Sequence, residues 1–222
     1  MITLHHLNNS RSQRILWLLE ELALPYEIRR YERDAQTMLA PPELRKIHPL
    51  GKSPLITDNG KVLAESGAII EYILDTYGKG KMRPEPGTDE GLKFNFWLHY
   101  AEGSAMQPLF LTLLFSKMPK QPMPFFVRPL VAAVAAKALK TFVNPQLKLH
   151  LKFIESELAK SPWFAGKEFS AADIQMSFVV EAAEARGGFG DYPHLADILK
   201  RFRARPAYQR ALDAGGPYDL LF

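Results

Sequence analysis

Hydrophobic and polar positions alternate at the start of the chain and then change period. Ile2-Thr3-Leu4-His5-His6-Leu7 alternates, which predicts a strand with Ile2, Leu4 and His6 on one side. Ile15, Leu18, Leu19 and Leu22 then fall at i, i+3, i+4 and i+7, the stripe of an amphipathic helix. Ser10-Arg11-Ser12-Gln13 reads as a capping box at its start, and Pro25 ends it. Alternation returns over residues 26–31 as a second strand, and Pro41-Pro42 opens a short helix through Ile47. Residues 54–57 and 61–63 flank Asp58-Asn59-Gly60, a hairpin signal because the turn needs positive φ. Ser66 then opens a helix with Ile69, Ile70, Ile73 and Leu74 facing inward.

The order β-α-β-α-β-β-α is complete by residue 78. A helical crossover makes the first two strands parallel, and the hairpin adds an antiparallel pair. A small mixed sheet with helices in this order resembles a thioredoxin-like domain, expected over residues 1–80. Residues 78–91 hold four Gly and two Pro, a linker by composition. No strand pattern recurs beyond it. The fold class expected is therefore α/β plus all-α, with the helical domain over residues 90–222. Its helices are predicted over 92–117, 125–142 and 145–160, the last with Asn144 as cap and Pro145 at the first position. Ser170-Ala171-Ala172-Asp173 is another capping box, with Phe169 and Ile174 placed as a hydrophobic staple. A last pair is predicted over 193–203 and 206–213.

Composition adds mainly exclusions. At 47% hydrophobic and 23% charged, the 222 residues are those of an ordinary globular protein. The net charge of +4 sits beyond residue 78 and is spread singly along helices, for example at Lys137, Lys140, Lys148 and Lys152. A nucleic-acid surface would cluster it among aromatics, so no nucleic-acid partner is expected. Cysteine is absent, which excludes disulfide scaffolds, Cys-ligated zinc and a catalytic thiol of the protein's own. The start lacks a basic region followed by an apolar run, and the longest uncharged apolar stretch, 103–116, is too short for a membrane span. A cytoplasmic protein without membrane association is expected.

Gly51-Lys52-Ser53 is not the end of a phosphate loop, because Lys46 stands where the first glycine is required. His5 and His6 point to opposite faces of their strand, and the other histidines show no ligand spacing, so no metal is expected. No Gly-x-Ser-x-Gly elbow is present. What remains lies at the ends of elements in the first half. Ser10 starts the first helix, Ser53-Pro54 begins the third strand, and Glu65-Ser66 joins the hairpin to the next helix. In a thioredoxin-like sheet these points converge on one edge.

Four motifs together resemble the glutathione S-transferases over nearly the whole chain. They are Ser10 with Arg14, His48-Pro49-Leu50-Gly51-Lys52-Ser53-Pro54-Leu55, Leu63-Ala64-Glu65-Ser66-Gly67-Ala68-Ile69, and Phe169-Ser170-Ala171-Ala172-Asp173-Ile174. With no tyrosine at the end of the first strand and no cysteine, the resemblance is to the serine-type, theta-like bacterial and fungal cytosolic class. It implies a homodimer with glutathione as co-substrate. Glu65 and Ser66 are then expected to hold the γ-glutamyl amine and carboxylate, and Lys52 the glycyl carboxylate. Pro54 is expected to be cis, turning the Ser53 backbone toward the cysteinyl peptide. The candidate catalytic residues are Ser10, donating to the sulfur, and Asn9, whose amide can polarise the thiol instead.

The electrophile is expected between the halves, near Trp97, Tyr100, Met106, Phe110, Leu114 and the Pro-rich segment 118–125. Glu102 is expected to reach the glutathione amine across a dimer. The expected function is conjugation of the glutathione thiolate to small apolar electrophiles in detoxification. Two alternatives stand beside it: a glutathione-dependent peroxidase or disulfide reductase, and a non-catalytic transferase-like interaction protein.

Overall fold

The computed structural model describes residues 1–220. The first half runs β1 (Ile2–Leu7), α1 (Ser12–Glu21), β2 (Tyr26–Tyr31), a 3-10 turn (Pro42–Lys46), β3 (Leu55–Asp58), β4 (Lys61–Ala64) and α2 (Ser66–Tyr77). The four strands form one mixed sheet in the order β2-β1-β3-β4. β1 and β2 are parallel in register from Ile2↔Tyr26 to Leu7↔Tyr31, and β3 runs antiparallel to both β1 and β4. The hairpin closes through Asn59 and Gly60, at φ 47° and 76°, the left-handed pair that Asn-Gly supplies at least cost. This is the thioredoxin-like arrangement.

The second half is helical: α3 (Asp89–Tyr100), α4 (Met106–Lys117), α5 (Arg128–Ala138), α6 (Asn144–Leu158), α7 (Ala171–Ala185), α8 (Pro193–Arg203) and α9 (Pro206–Gly215). It docks on α1, where every side chain of residues 12–19 is buried and the neighbours are α9, α7 and α2. Trp17 anchors that contact, its ring 5.3 and 5.1 Å from Phe202 and Tyr208, both edge-on. Arg205 adds a two-point ion pair to Glu21, at 2.5 and 2.9 Å.

Asn144 does not cap α6, because its own backbone is already helical, at φ −64° and ψ −39°. A π turn (Leu139–Val143) carries α5 straight into α6, and a second (Ala101–Ala105) carries α3 into α4. Each precedes a proline, Pro145 or Pro108, whose ring would crowd the carbonyl four residues back and which has no N–H to give it. Those carbonyls belong to Thr141 and Ser104, inside the two widened turns. The π turn absorbs the misfit, and the helix continues.

The capping box expected at Ser10 also fails. Arg11 holds the N-cap position with helical dihedrals, and Ser10 Oγ accepts instead from the Ser12 N–H at 3.2 Å. Gln13 is buried and cannot turn back, because it packs under Gly215 of α9: a Cβ there would lie 2.5 Å from Gln13 Oε1. The second capping box does form. Asp173, fully buried, accepts from the N–H and hydroxyl of Ser170 and from the N–H of Phe164. Burial nevertheless pushes its carboxyl up to about 6.

Candidate active site

The end of β1, the loop before β3 and the β4–α2 junction meet around a cleft of about 430 Å³. Lys52, Ser53, Pro54, Glu65, Ser66 and Glu102 all line it. Ser53-Pro54 is cis. Gly51, just before Lys52, sits at φ 57°, and a Cβ there would fall 2.6 Å from Arg45 Cγ, so glycine is required where the loop turns toward the cleft. Lys52 and Glu65 are exposed, whereas Ser66 is buried in the first turn of α2, where unpaired backbone N–H groups favour an anion. Glu65 itself has φ 70° and ψ 123°, a conformation that L side chains rarely adopt. Strain of that kind collects at ligand sites.

Beneath the cleft lies a buried arginine. Arg14, 1% exposed, donates to Glu102 at 2.5 Å, to Gln175 at 3.1 Å and to Ser66 Oγ at 3.4 Å. Arg11 pairs with the other Glu102 oxygen at 3.0 Å. Burial works to raise the Glu102 carboxyl, but Arg14 and Arg11 outweigh it and hold the group below its usual range. Glu102 thus lines this cleft, tied to Ser66 through Arg14.

The remaining expected residues are placed differently. Ser10 is buried below the cleft wall, its Oγ 3.2 Å from Ser53 Oγ. Asn9, at φ 49°, turns its amide oxygen to the Asp219 N–H at 2.8 Å, away from the cleft lining. Tyr100 does not reach the cleft at all. It faces α6, where its hydroxyl meets His150 Nδ1 at 2.6 Å among Phe96, Trp97 and Phe153. Trp97 and Met106 are core, while Phe110 lines the cleft and is largely exposed.

Sequence reading passed over Arg11, Arg33 and the supporting role of Arg14. One signal for Arg14 was available: it stands four residues before Leu18, a charge on the apolar stripe of α1. Arg11 and Arg33, by contrast, come together only through the fold. With Lys52 they set three cations against Glu65 and Glu102 in the lining, among the described residues. Among those residues, too, no group of three or more His, Asp or Glu side chains could hold a metal ion, and no helix is long and apolar enough to cross a membrane.

A thioredoxin-like domain with a cis proline at a cleft suited to an anion, joined to a helical half, is the architecture of the glutathione S-transferase fold. The comparisons carry this further. The family model for the glutathione S-transferase N-terminal domain matches residues 1–75, and that for the C-terminal domain matches residues 108–206. Glutathione S-transferase 1 of Saccharomyces cerevisiae is 37% identical over 217 residues, covering 94% of this chain and 92% of that protein. Glutathione S-transferase 3 of Schizosaccharomyces pombe is 39% identical over 185 residues, covering 83% and 75%. A glutathione S-transferase crystal structure from Actinobacillus pleuropneumoniae superposes with a TM-score of 0.81 at 33% identity, covering 99% of this chain and 95% of that one. The chain belongs to the glutathione S-transferase family. It is a transferase that uses glutathione as co-substrate.

Proposed function

We propose that glutathione lies along this cleft and that its thiolate attacks small apolar electrophiles held by the helical half near Phe110. The carrying observation is that Lys52, Ser53, Pro54, Glu65 and Ser66 line one cleft, with Glu65 in a strained conformation. Glutathione has an amine and a carboxylate at one end and a carboxylate at the other. Glu65 and the α2 N-terminus with Ser66 suit the first end, and Lys52 suits the second. Ser53 presents backbone between them to the cysteinyl peptide, with Ser10 beside the sulfur and Asn9 next to it in sequence. Residues 1–80 are the glutathione-binding domain in this reading, and residues 90–222 supply the electrophile side.

Ionising a thiol of pKa ~8.5 by lowering it about two units raises the thiolate share at pH 7 from ~3% to ~75%. A nucleophilicity exponent near ~0.5 then gives back about tenfold in reactivity. Most of the acceleration must therefore come from holding the electrophile against the sulfur. The place proposed for this activity is the cytoplasm, where glutathione is the thiol pool.

The partner proposed is a second copy of the chain. Leu92 and Phe96 of α3 are 63% and 46% exposed beside α6, whose Leu149 is 61% exposed. Phe96 packs against Phe153 of α6 at 6.0 Å, so these helices present one apolar face. Leu92→Glu should give a monomer in analytical ultracentrifugation while wild type sediments as a dimer.

Calorimetric titration with glutathione tests the cleft. Glu65→Ala and Ser66→Ala should each weaken binding by roughly ten- to a hundredfold, the value of a charge-assisted hydrogen bond of about 1.5–3 kcal/mol. Unchanged affinity in both folded variants would remove the assignment. A panel of a nitro-aryl halide, an organic hydroperoxide and a small disulfide then reads the reaction, with the halide expected to react fastest.

A further inference from the structure

Positive charge and exposed apolar surface coincide at one end of the helical half. Residues 103–154 hold seven Lys and Arg side chains and no Asp or Glu, although the whole chain carries only +4. Within that span, the loop leaving α4 and the first turns of α5 turn apolar side chains outward. Phe125, Phe126, Leu130 and Val134 are 85%, 71%, 67% and 55% exposed. The two phenyl rings pack edge-on against each other, 5.6 Å apart. Leu130 and Val134 stand four residues apart in α5 and share a face, and Lys137 continues it one turn on. Lys120 and Arg128 lie on either side of the Phe pair in the chain, and all three cations are exposed.

The fold makes little internal use of this helix. Most helical stability in proteins comes from burying an apolar face, yet Ala135 is the one buried residue among the eleven of α5. Its larger apolar side chains point into water, and a contiguous apolar patch of that kind marks a surface that meets a partner.

The charge decides which partner. A second copy meeting this face about a two-fold axis would set one cationic face against another, with no carboxylate from residues 103–154 to neutralise either. The apolar face proposed for the dimer lies on other helices, at Leu92, Phe96 and Leu149. A folded protein would have to supply a pocket shaped to the projecting Phe pair, whereas a fluid acyl layer needs none. Aromatic and aliphatic side chains bordered by Lys and Arg are the composition of an element that lies in a lipid interface. Long basic side chains keep their charge at the headgroups while their stems lie along the apolar layer.

We propose that this end of the helical half docks on an anionic lipid surface. Phe125, Phe126, Leu130 and Val134 enter the interface, and Lys120, Arg128 and Lys137 meet lipid phosphates. The contact is peripheral, since α5 has eleven residues and a bilayer span needs about 20. Phe110 in the cleft lining and Leu114 one turn on along α4 are exposed too, which carries apolar surface from the cleft toward the docked end. Docking here is independent of what the cleft binds.

The test is sedimentation of the full chain with vesicles of phosphatidylcholine mixed with phosphatidylserine, and with vesicles of phosphatidylcholine alone. Wild type should bind the mixed vesicles more tightly. Binding should weaken between about 0.01 M and 1 M salt, as the screening length falls from ~30 to ~3 Å. Lys120→Ala with Arg128→Ala should lower the partition coefficient roughly 30-fold, about fivefold for each cation. Lys167→Ala with Lys200→Ala, the same loss of charge on other elements, should bind as wild type does. Phe125→Ser with Phe126→Ser should lose about tenfold or more while circular dichroism shows the fold intact. Wild type left in the supernatant with mixed vesicles overturns the proposal, and so do equal losses in the two alanine pairs. Retention on immobilised polyglutamate without vesicle binding would assign the face to an acidic protein and overturn it as well. Self-association without lipid, abolished by the Phe125→Ser and Phe126→Ser pair, would overturn it in favour of a second copy.

Discussion

At Glu65 a strained backbone coincides with the recognition proposed for its side chain. Its φ of 70° is one that glycine adopts freely and glutamate does not. Glu65→Gly should therefore raise stability by about 1 kcal/mol while weakening glutathione binding. Thermal unfolding and calorimetry on the same preparation check both halves, and a variant that loses stability as well would show that the conformation costs nothing. The residue types at this site were legible in the sequence, since Lys52, Ser53-Pro54 and Glu65-Ser66 stand beside turn residues at element ends. Their supports were not. Arg14 meets Glu102 and Gln175 across separations of 88 and 161 residues, and no local pattern encodes such a meeting.

Among the elements, α7 shows the most explicit start signal. Ser170→Ala removes a hydroxyl from the capping box and should cost about 1 kcal/mol. Asp173→Ala should cost more, about 3 kcal/mol, because it leaves the N–H groups of Phe164 and Ser170 buried with no acceptor. Urea unfolding should rank the two in that order, and equal losses would mean that Asp173 acts only as a cap. The helix start at Ser170, set by local bonds to Asp173, was readable in advance, and so was the start at Ser66, although no side chain caps it. The run from α5 into α6 was not, because Asn144-Pro145 has the composition of a start, and only the packing of a continuous helix makes a π turn preferable to a break. Ser10-x-x-Gln13 misled for a related reason: α9 holds Gln13 down.

For the molecule as a whole, the buried histidines link stability to pH. His5, His6 and His150 all titrate below the ordinary value, chiefly through burial, with His6 at about 4. Between about 6.5 and 4 the unfolded chain takes up protons that the fold refuses. This stability is fully present above about 6.5 and is lost as pH falls, at up to about 1.4 kcal/mol per unit for His6. Asp173 opposes it. Its folded carboxyl, at about 6, binds a proton before the unfolded one does and adds stability as pH falls from about 6 toward 4. Melting temperature should thus decline from pH 7 to 5, and His6→Phe should flatten that slope. An unchanged slope in the variant would mean that His6 is protonated in the fold.

The sequence by itself determined the element order, the hairpin, the α/β-then-helical division and the residue types proposed to meet glutathione. Those features rest on local periodicity, turn chemistry and capping, which neighbouring residues decide among themselves. Only the tertiary structure decided that Tyr100 faces α6, that Arg14 meets Glu102 beneath the cleft, and that two prolines sit inside continuous helices. The first two are set by contacts across 50 and 88 residues of sequence, which no single stretch of the chain contains.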